Sequence, residues 1–79
     1  MNRESFEEIV KWKAERMAKA KTLREQAEKM NCEWKVFKIG GWDAMIFDVA
    51  RSLDLPAEYS TRDYRRNLIE QWLEEGLGE

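Results

Sequence analysis

Cys32-Glu33-Trp34-Lys35-Val36-Phe37-Lys38-Ile39-Gly40-Gly41-Trp42-Asp43-Ala44-Met45-Ile46 is the stretch on which the fold turns. Its first half reads two ways. Trp34, Val36, Phe37 and Ile39 include the β-branched and aromatic types that favour a strand. Met30, Trp34 and Phe37 equally prolong a helical stripe that begins upstream. Gly40-Gly41 breaks whatever precedes it, and a Gly-Gly hairpin would pair Lys38 with Asp43 and Phe37 with Ala44. The second half argues against that hairpin. Trp42, Met45, Ile46, Val49 and Leu53 recur at i, i+3, i+4, i+7 and i+11, which is a helical pattern. The spacing therefore predicts a helix from Trp42 to about Leu53. A short strand or extended segment precedes it over residues 32–39, which could also extend the helix before it.

Upstream, Ser5 and Glu8 form a capping box, hydroxyl and carboxylate each satisfying a backbone N–H. Phe6, Ile9, Val10, Met17, Ala20, Leu23, Ala27 and Met30 then give one broad apolar face, predicting a first helix from Phe6 to Met30 that ends near Asn31. Glu7–Lys11, Glu15–Lys19 and Glu25–Lys29 are i,i+4 pairs in the favourable order. Lys13, Arg16 and Arg24 interrupt the apolar arc, either covering the core edge with their stems or meeting an acidic partner. Downstream, Asp54-Leu55-Pro56 ends the second helix, because a residue before proline is pushed out of the α region. Ser60 with Asp63 makes a second capping box. Tyr64, Leu68, Ile69, Trp72 and Leu73 form the stripe of a third helix, with Gly76 in the left-handed cap position and Leu77 placed for the accompanying apolar contact. The expected fold is mainly α: a small three-helix domain, residues 1–79, with a short strand or extended segment between helices 1 and 2.

Seventy-nine residues make one domain at most, and such a chain buries only about 60% of its unfolded surface. Cys32 is the one cysteine and histidine is absent. An intrachain disulfide and a zinc site of four N or S ligands are therefore both excluded, and a reducing, cytoplasmic setting is expected. The amino terminus lacks the apolar core of a signal peptide. No run longer than four residues is free of charge, whereas a membrane span needs about 20 apolar residues. No membrane partner is expected. Sixteen acidic against fourteen basic residues give a net charge of −2, unlike the strongly basic domains that bind nucleic acid.

Catalytic equipment is missing from this composition. Without histidine there is no conventional triad. The glycines Gly40, Gly41, Gly76 and Gly78 form neither a phosphate loop nor a dinucleotide fingerprint. Glu7-Glu8 and Glu74-Glu75 read as solvated surface. Cys32, despite Lys29 and Lys35 nearby, reads as a small buried hydrophobe. No enzyme activity and no cofactor are expected.

Val49-Ala50-Arg51-Ser52-Leu53-Asp54-Leu55-Pro56 resembles the first helix and turn of helix-turn-helix DNA-binding domains. Val49, Ala50, Leu53 and Leu55 fill the pattern of β-branched residue, alanine, leucine and post-turn apolar residue. Asp54 stands where that family has a turn glycine, and Pro56 to Ser60 lengthen the connection. The resemblance implies that the third helix is a recognition helix presenting Arg62, Arg65 and Arg66.

Those arginines also carry a physical oddity. They crowd the positive end of the helix dipole while Glu70, Glu74 and Glu75 crowd the negative end, each misplacement costing a few tenths of a kcal/mol. Such charges fit an anionic partner. Four tryptophans are too many for so small a core. Trp42 and Trp72 lie on core stripes, leaving Trp12 and Trp34 as candidates for a partly exposed interface ring beside an arginine such as Arg16. The expected function is a non-enzymatic protein-binding module. It would be an adaptor or stoichiometric inhibitor of a larger protein complex, of the kind phages and mobile elements encode, or a self-associating homodimer. The partner-binding residues are then Arg62, Arg65, Arg66, Trp12, Trp34 and Arg16. The alternative is a helix-turn-helix protein binding nucleic acid through its third helix.

Overall fold

In a computed structural model describing residues 1–79, the chain forms four helices and no strand. They are α1 (Arg3–Lys19), α2 (Lys21–Lys29), α3 (Trp34–Ser52) and α4 (Arg62–Glu74), with a single 3₁₀ turn at Ala57–Tyr59 before α4. The mainly helical character that the periodicity predicts is what the chain adopts. The boundaries differ in three places, each for an identifiable reason.

The first helix starts earlier and stops sooner than the sequence predicts. Asn2, not Ser5, caps α1, its side chain accepting from the Ser5 N–H at 2.8 Å; asparagine is among the best residues for that position. At Ala20 the backbone turns extended (φ −75°, ψ 113°) and separates α1 from α2. The cause is phase. Phe6, Val10, Ala14 and Ala18 are the buried line of α1. At about 100° per residue, an unbroken helix would place Leu23 and Ala27 roughly 220° and 260° round from Val10, aimed away from the core. The break re-aims them, and Ala27 is buried.

The predicted strand over 32–39 is absent. Residues 34–39 belong to α3, which passes through Gly40-Gly41 without interruption, while Cys32 and Glu33 precede it. The buried line Lys38, Trp42, Ile46 and Ala50 has i,i+4 spacing that crosses the glycines. Packing on that line overrides a helix-propensity penalty of about 1 kcal/mol per glycine. Gly41 has a further use: a Cβ there would lie 3.2 Å from Met17 Cε, so its bareness leaves room for the tip of that side chain.

The last expected box is also replaced. Thr61 caps α4 by accepting from the Tyr64 N–H at 3.2 Å, while the Ser60 hydroxyl donates to the Ala57 carbonyl. Three helices end alike, on a residue with positive φ: Asn31 (53°), Asp54 (53°) and Gly76 (77°). After each, an N–H reaches back across the last turn, Cys32 to Ala27, Leu55 to Ala50 and Leu77 to Trp72. Leu77 packs on the core, as its position predicts.

The core is set between α1, α3 and α4. Ala14 and Ala18, which the apolar arc had omitted, are buried, and the Trp42 indole N–H donates to the Ala14 carbonyl at 3.1 Å. Trp42 meets Trp72 edge-on at 5.5 Å between centroids, and Phe6 meets Tyr59 likewise at 5.3 Å. Such pairs add about 0.5–1.5 kcal/mol beyond the area they bury.

Candidate functional site

Arg65 is engaged inside the fold. Its Nε donates to Asp43 Oδ1 at 2.7 Å, its Nη1 donates to the Ser60 carbonyl, and the guanidinium lies 5.3 Å from the Phe47 ring centroid. The side chain is only 16% exposed. It fastens α4 to α3 and to the turn between them. Of the three arginines expected to face a partner, it is thus the one tied to the protein itself. Arg62 and Arg66 are exposed.

Together with Arg65, those two line a groove of about 460 Å³ between α3 and α4, whose apolar floor and wall are Ile39, Ile69 and Leu73. The groove exists where α3 has no side chain. Nothing lies within 4 Å of the position a Gly40 Cβ would take, so the helix backbone itself forms one edge. Asp43 and Glu70 also line it, but Asp43 is neutralised by Arg65. One turn away along α3, Phe47 is covered by the Arg51 guanidinium at 5.5 Å and by Arg65 from the other element. Val36, one turn the other way, is 60% exposed. Sequence reasoning found the arginines and missed Gly40, Ile39, Ile69 and Leu73 as a surface. The available signal was a glycine in register with Val36, Ala44 and Phe47 on a face that did not need burial.

Trp12 and Arg16 are brought together elsewhere. Both are exposed on α1, Trp12 at 56%, with the Arg16 guanidinium 4.8 Å from the ring centroid. At about 100° per residue Trp12 points roughly 200° away from Val10, so this pair lies on the far side of α1 from α3 and α4. The six candidate residues therefore do not form one site.

Trp34 occupies a third position. It is half-buried at the junction of α2 and α3, stacked on Phe37 with the Arg24 guanidinium 4.7 Å from its centroid. Its indole N–H is buried without an acceptor. It borders a pocket of about 100 Å³ with Met17, Leu23, Phe37, Gly41 and Trp42. Lys38, which sequence reasoning left out, is buried beside Trp42 with its ammonium 5.2 Å from the ring centroid.

On the other flank of α4 the charge is mainly acidic. Glu4, Glu7, Glu8 and Glu75 line a shallow cleft with Lys11, which pairs with Glu75 at 2.9 Å. That hydrogen bond and the adjoining negative charge raise the Lys11 pKa. Tyr64 donates to Glu7 at 2.7 Å. Burial, then this bond, pushes its phenol well above the ordinary tyrosine range. No helix is long and apolar enough to cross a membrane. No protein-family model, curated protein or solved structure matches the chain.

Proposed function

We propose that the protein is a non-enzymatic binding module, an adaptor or stoichiometric inhibitor, whose α3–α4 groove accepts an acidic amphipathic segment of a larger protein. The observation that carries this is the bare helix surface at Gly40. It opens an apolar floor of Ile39, Ile69 and Leu73 beneath two unpaired guanidinium groups, Arg62 and Arg66. A helix laid in such a groove buries its apolar anchors at i, i+3 and i+4. Its carboxylates would meet arginines whose planar forks suit bidentate pairing. The exposed Val36 and the arginine-covered Phe47 continue the same surface along α3. Arg65 also lines the groove, where its bonds to Asp43 and Ser60 hold the wall in place.

Selection of peptides from a random library on the immobilised protein tests this directly. Enriched sequences should be acidic, with leucine-like anchors at helical spacing. Gly40→Leu, which fills the groove with a helix-compatible side chain, should lose them. So should the double change Arg62→Glu with Arg66→Glu. Retention of the peptides by Gly40→Leu would rule out the groove. A parallel titration with duplex DNA covers the nucleic-acid alternative, for which binding must weaken steeply as salt rises. The engagement of Arg65 leaves only two free arginines for that role, in a protein of net charge −2.

A further inference from the structure

We infer that the outer face of α1 is a self-association surface, on which two copies pair antiparallel about a two-fold axis passing beside Trp12. This is independent of the α3–α4 groove, which no residue of α1 lines.

The residues of that face are Ser5, Glu8, Trp12, Arg16 and Lys19, every one exposed. They fall within a narrow arc because their separations are three or four residues. Trp12 sits at the middle of the helix, 56% exposed, and is the one large apolar ring on it that no other element covers. Along this stripe the charge is divided at the same point: Glu8 precedes Trp12, whereas Arg16 and Lys19 follow it. Elsewhere on α1 the signs are mixed, with Arg3 and Lys11 before Trp12 and Glu15 after it. Helix-dipole preference explains acids early and bases late, but it does not explain an exposed tryptophan at the boundary.

An antiparallel pair uses both features. In such a pair a residue n positions before Trp12 faces the residue n positions after it in the second copy. Glu8 then faces Arg16 of the second copy, and Arg16 faces its Glu8, flanking the two stacked tryptophans on both sides. Ser5 falls opposite Lys19, where no like charge opposes it. A two-fold contact is self-complementary by construction, and this stripe satisfies that condition without rearrangement. A parallel pair would instead set Glu8 on Glu8 and Arg16 on Arg16. The Arg16 guanidinium already stacked on Trp12 is placed to lie between the ring and the opposing carboxylate.

Sedimentation of the full chain over a range of roughly 1 µM to 1 mM tests this, interfaces built from a single helix face being small and weak. A reversible dimer is expected, weakened by added salt because its ion pairs lie at the rim. Trp12→Ala should raise the dissociation constant about thirtyfold, as loss of a central aromatic anchor does. Glu8→Arg alone and Arg16→Glu alone should each be monomeric, because each sets like charges opposite one another twice. An equimolar mixture of those two variants should dimerise again, now as a heterodimer with both pairs restored. All these positions are exposed, and unchanged thermal melts by circular dichroism confirm that each variant stays folded. A wild-type chain that is monomeric throughout the range overturns the inference. So does a dimer indifferent to Trp12→Ala, or a mixture that associates no better than its components.

Discussion

The two halves of α3 belong to one helix and do different work. From Trp42 to Ser52 it is wedged between α1 and α4, with Trp42, Ile46 and Ala50 buried and the Trp42 indole bonded to Ala14. From Trp34 to Gly41 it is packed less completely, starting beside the short α2, where the Arg24 guanidinium lies over Trp34. Val36 is exposed, Trp34 and Phe37 are half-buried, the Trp34 N–H has no acceptor, and Gly40 leaves bare backbone at the surface. The C-terminal half supplies stability, because its side chains have partners on both flanks. The N-terminal half leaves apolar and polar groups without partners inside the molecule, which is where a binding surface has room to form. A domain of this size cannot cover every face of a long central helix.

The largest effect that could break this contrast is a pair of tryptophan truncations. Trp42→Ala should cost about 3–5 kcal/mol, through lost burial and the cavity it leaves. Trp34→Ala should cost about 1–2 kcal/mol. Its ring is half-exposed, and removing it also removes an unsatisfied donor whose burial is itself worth about 1–3 kcal/mol against folding. Urea denaturation of both variants measures the difference. Equal losses would mean that the two halves of α3 contribute alike.

A smaller effect sharpens the packed side. Tyr64 ties α4 to Glu7 of α1, and burial followed by that hydrogen bond raises its pKa above the ordinary 10.0. A raised folded-state pKa means that the protonated phenol is the form the native state favours. This contribution is complete below the unfolded value of about 10 and is lost as pH rises toward the folded one. Stability followed by chemical denaturation should therefore hold from neutral pH to about 9 and fall above about 10. Tyr64→Phe should be less stable at neutral pH and show a shallower fall. Lys11 shifts in the same direction, but its exposed pairing with Glu75 contributes little. If the two curves run parallel through the alkaline range, Tyr64 is not the group responsible.

Much of this architecture is legible in the sequence, and the exceptions share a cause. The stripe of α3 from Trp42 onward and that of α4, the helix end near Asn31, the left-handed cap at Gly76 and the exposure of Trp12 all follow from periodicity and residue type. The break at Ala20 carries no glycine or proline to mark it. It is recorded only in the phase of Leu23 and Ala27 against Val10, which counting apolar residues on a broad face does not detect. Gly40-Gly41 erred the other way: punctuation was present, but the Lys38–Trp42–Ile46 line ran through it, and tertiary burial outweighed local preference. For the candidate site, the charge of Arg65 was visible while its engagement was not. Its three contacts, Asp43, Phe47 and Ser60, come from two other parts of the chain, and no local pattern joins them. The groove was hidden for the same reason, being a space between helices and not a motif on either one.

The smallest effect is the most pointed, because it separates folding from function at adjacent residues. A glycine inside a helix destabilises it by about 0.5–1 kcal/mol relative to alanine. At Gly40 an added methyl meets nothing within 4 Å, so Gly40→Ala should stabilise the protein by about that amount. At Gly41 the new Cβ would stand 3.2 Å from Met17 Cε, and the methionine tip must shift by a few tenths of an ångström. Met17 is flexible enough to yield, so Gly41→Ala should gain less than Gly40→Ala. Thermal melts of the two single variants give the ordering. Gly40 thus occupies a position where folding alone would favour alanine, whereas Gly41 has a packing reason to lack a side chain. If the glycine at position 40 serves the groove, Gly40→Ala should be the more stable protein and the poorer binder of the acidic peptides that the wild type selects. If Gly40→Ala instead destabilises the fold, then α3 is not a continuous helix at that point, and the groove built on its bare surface disappears with it.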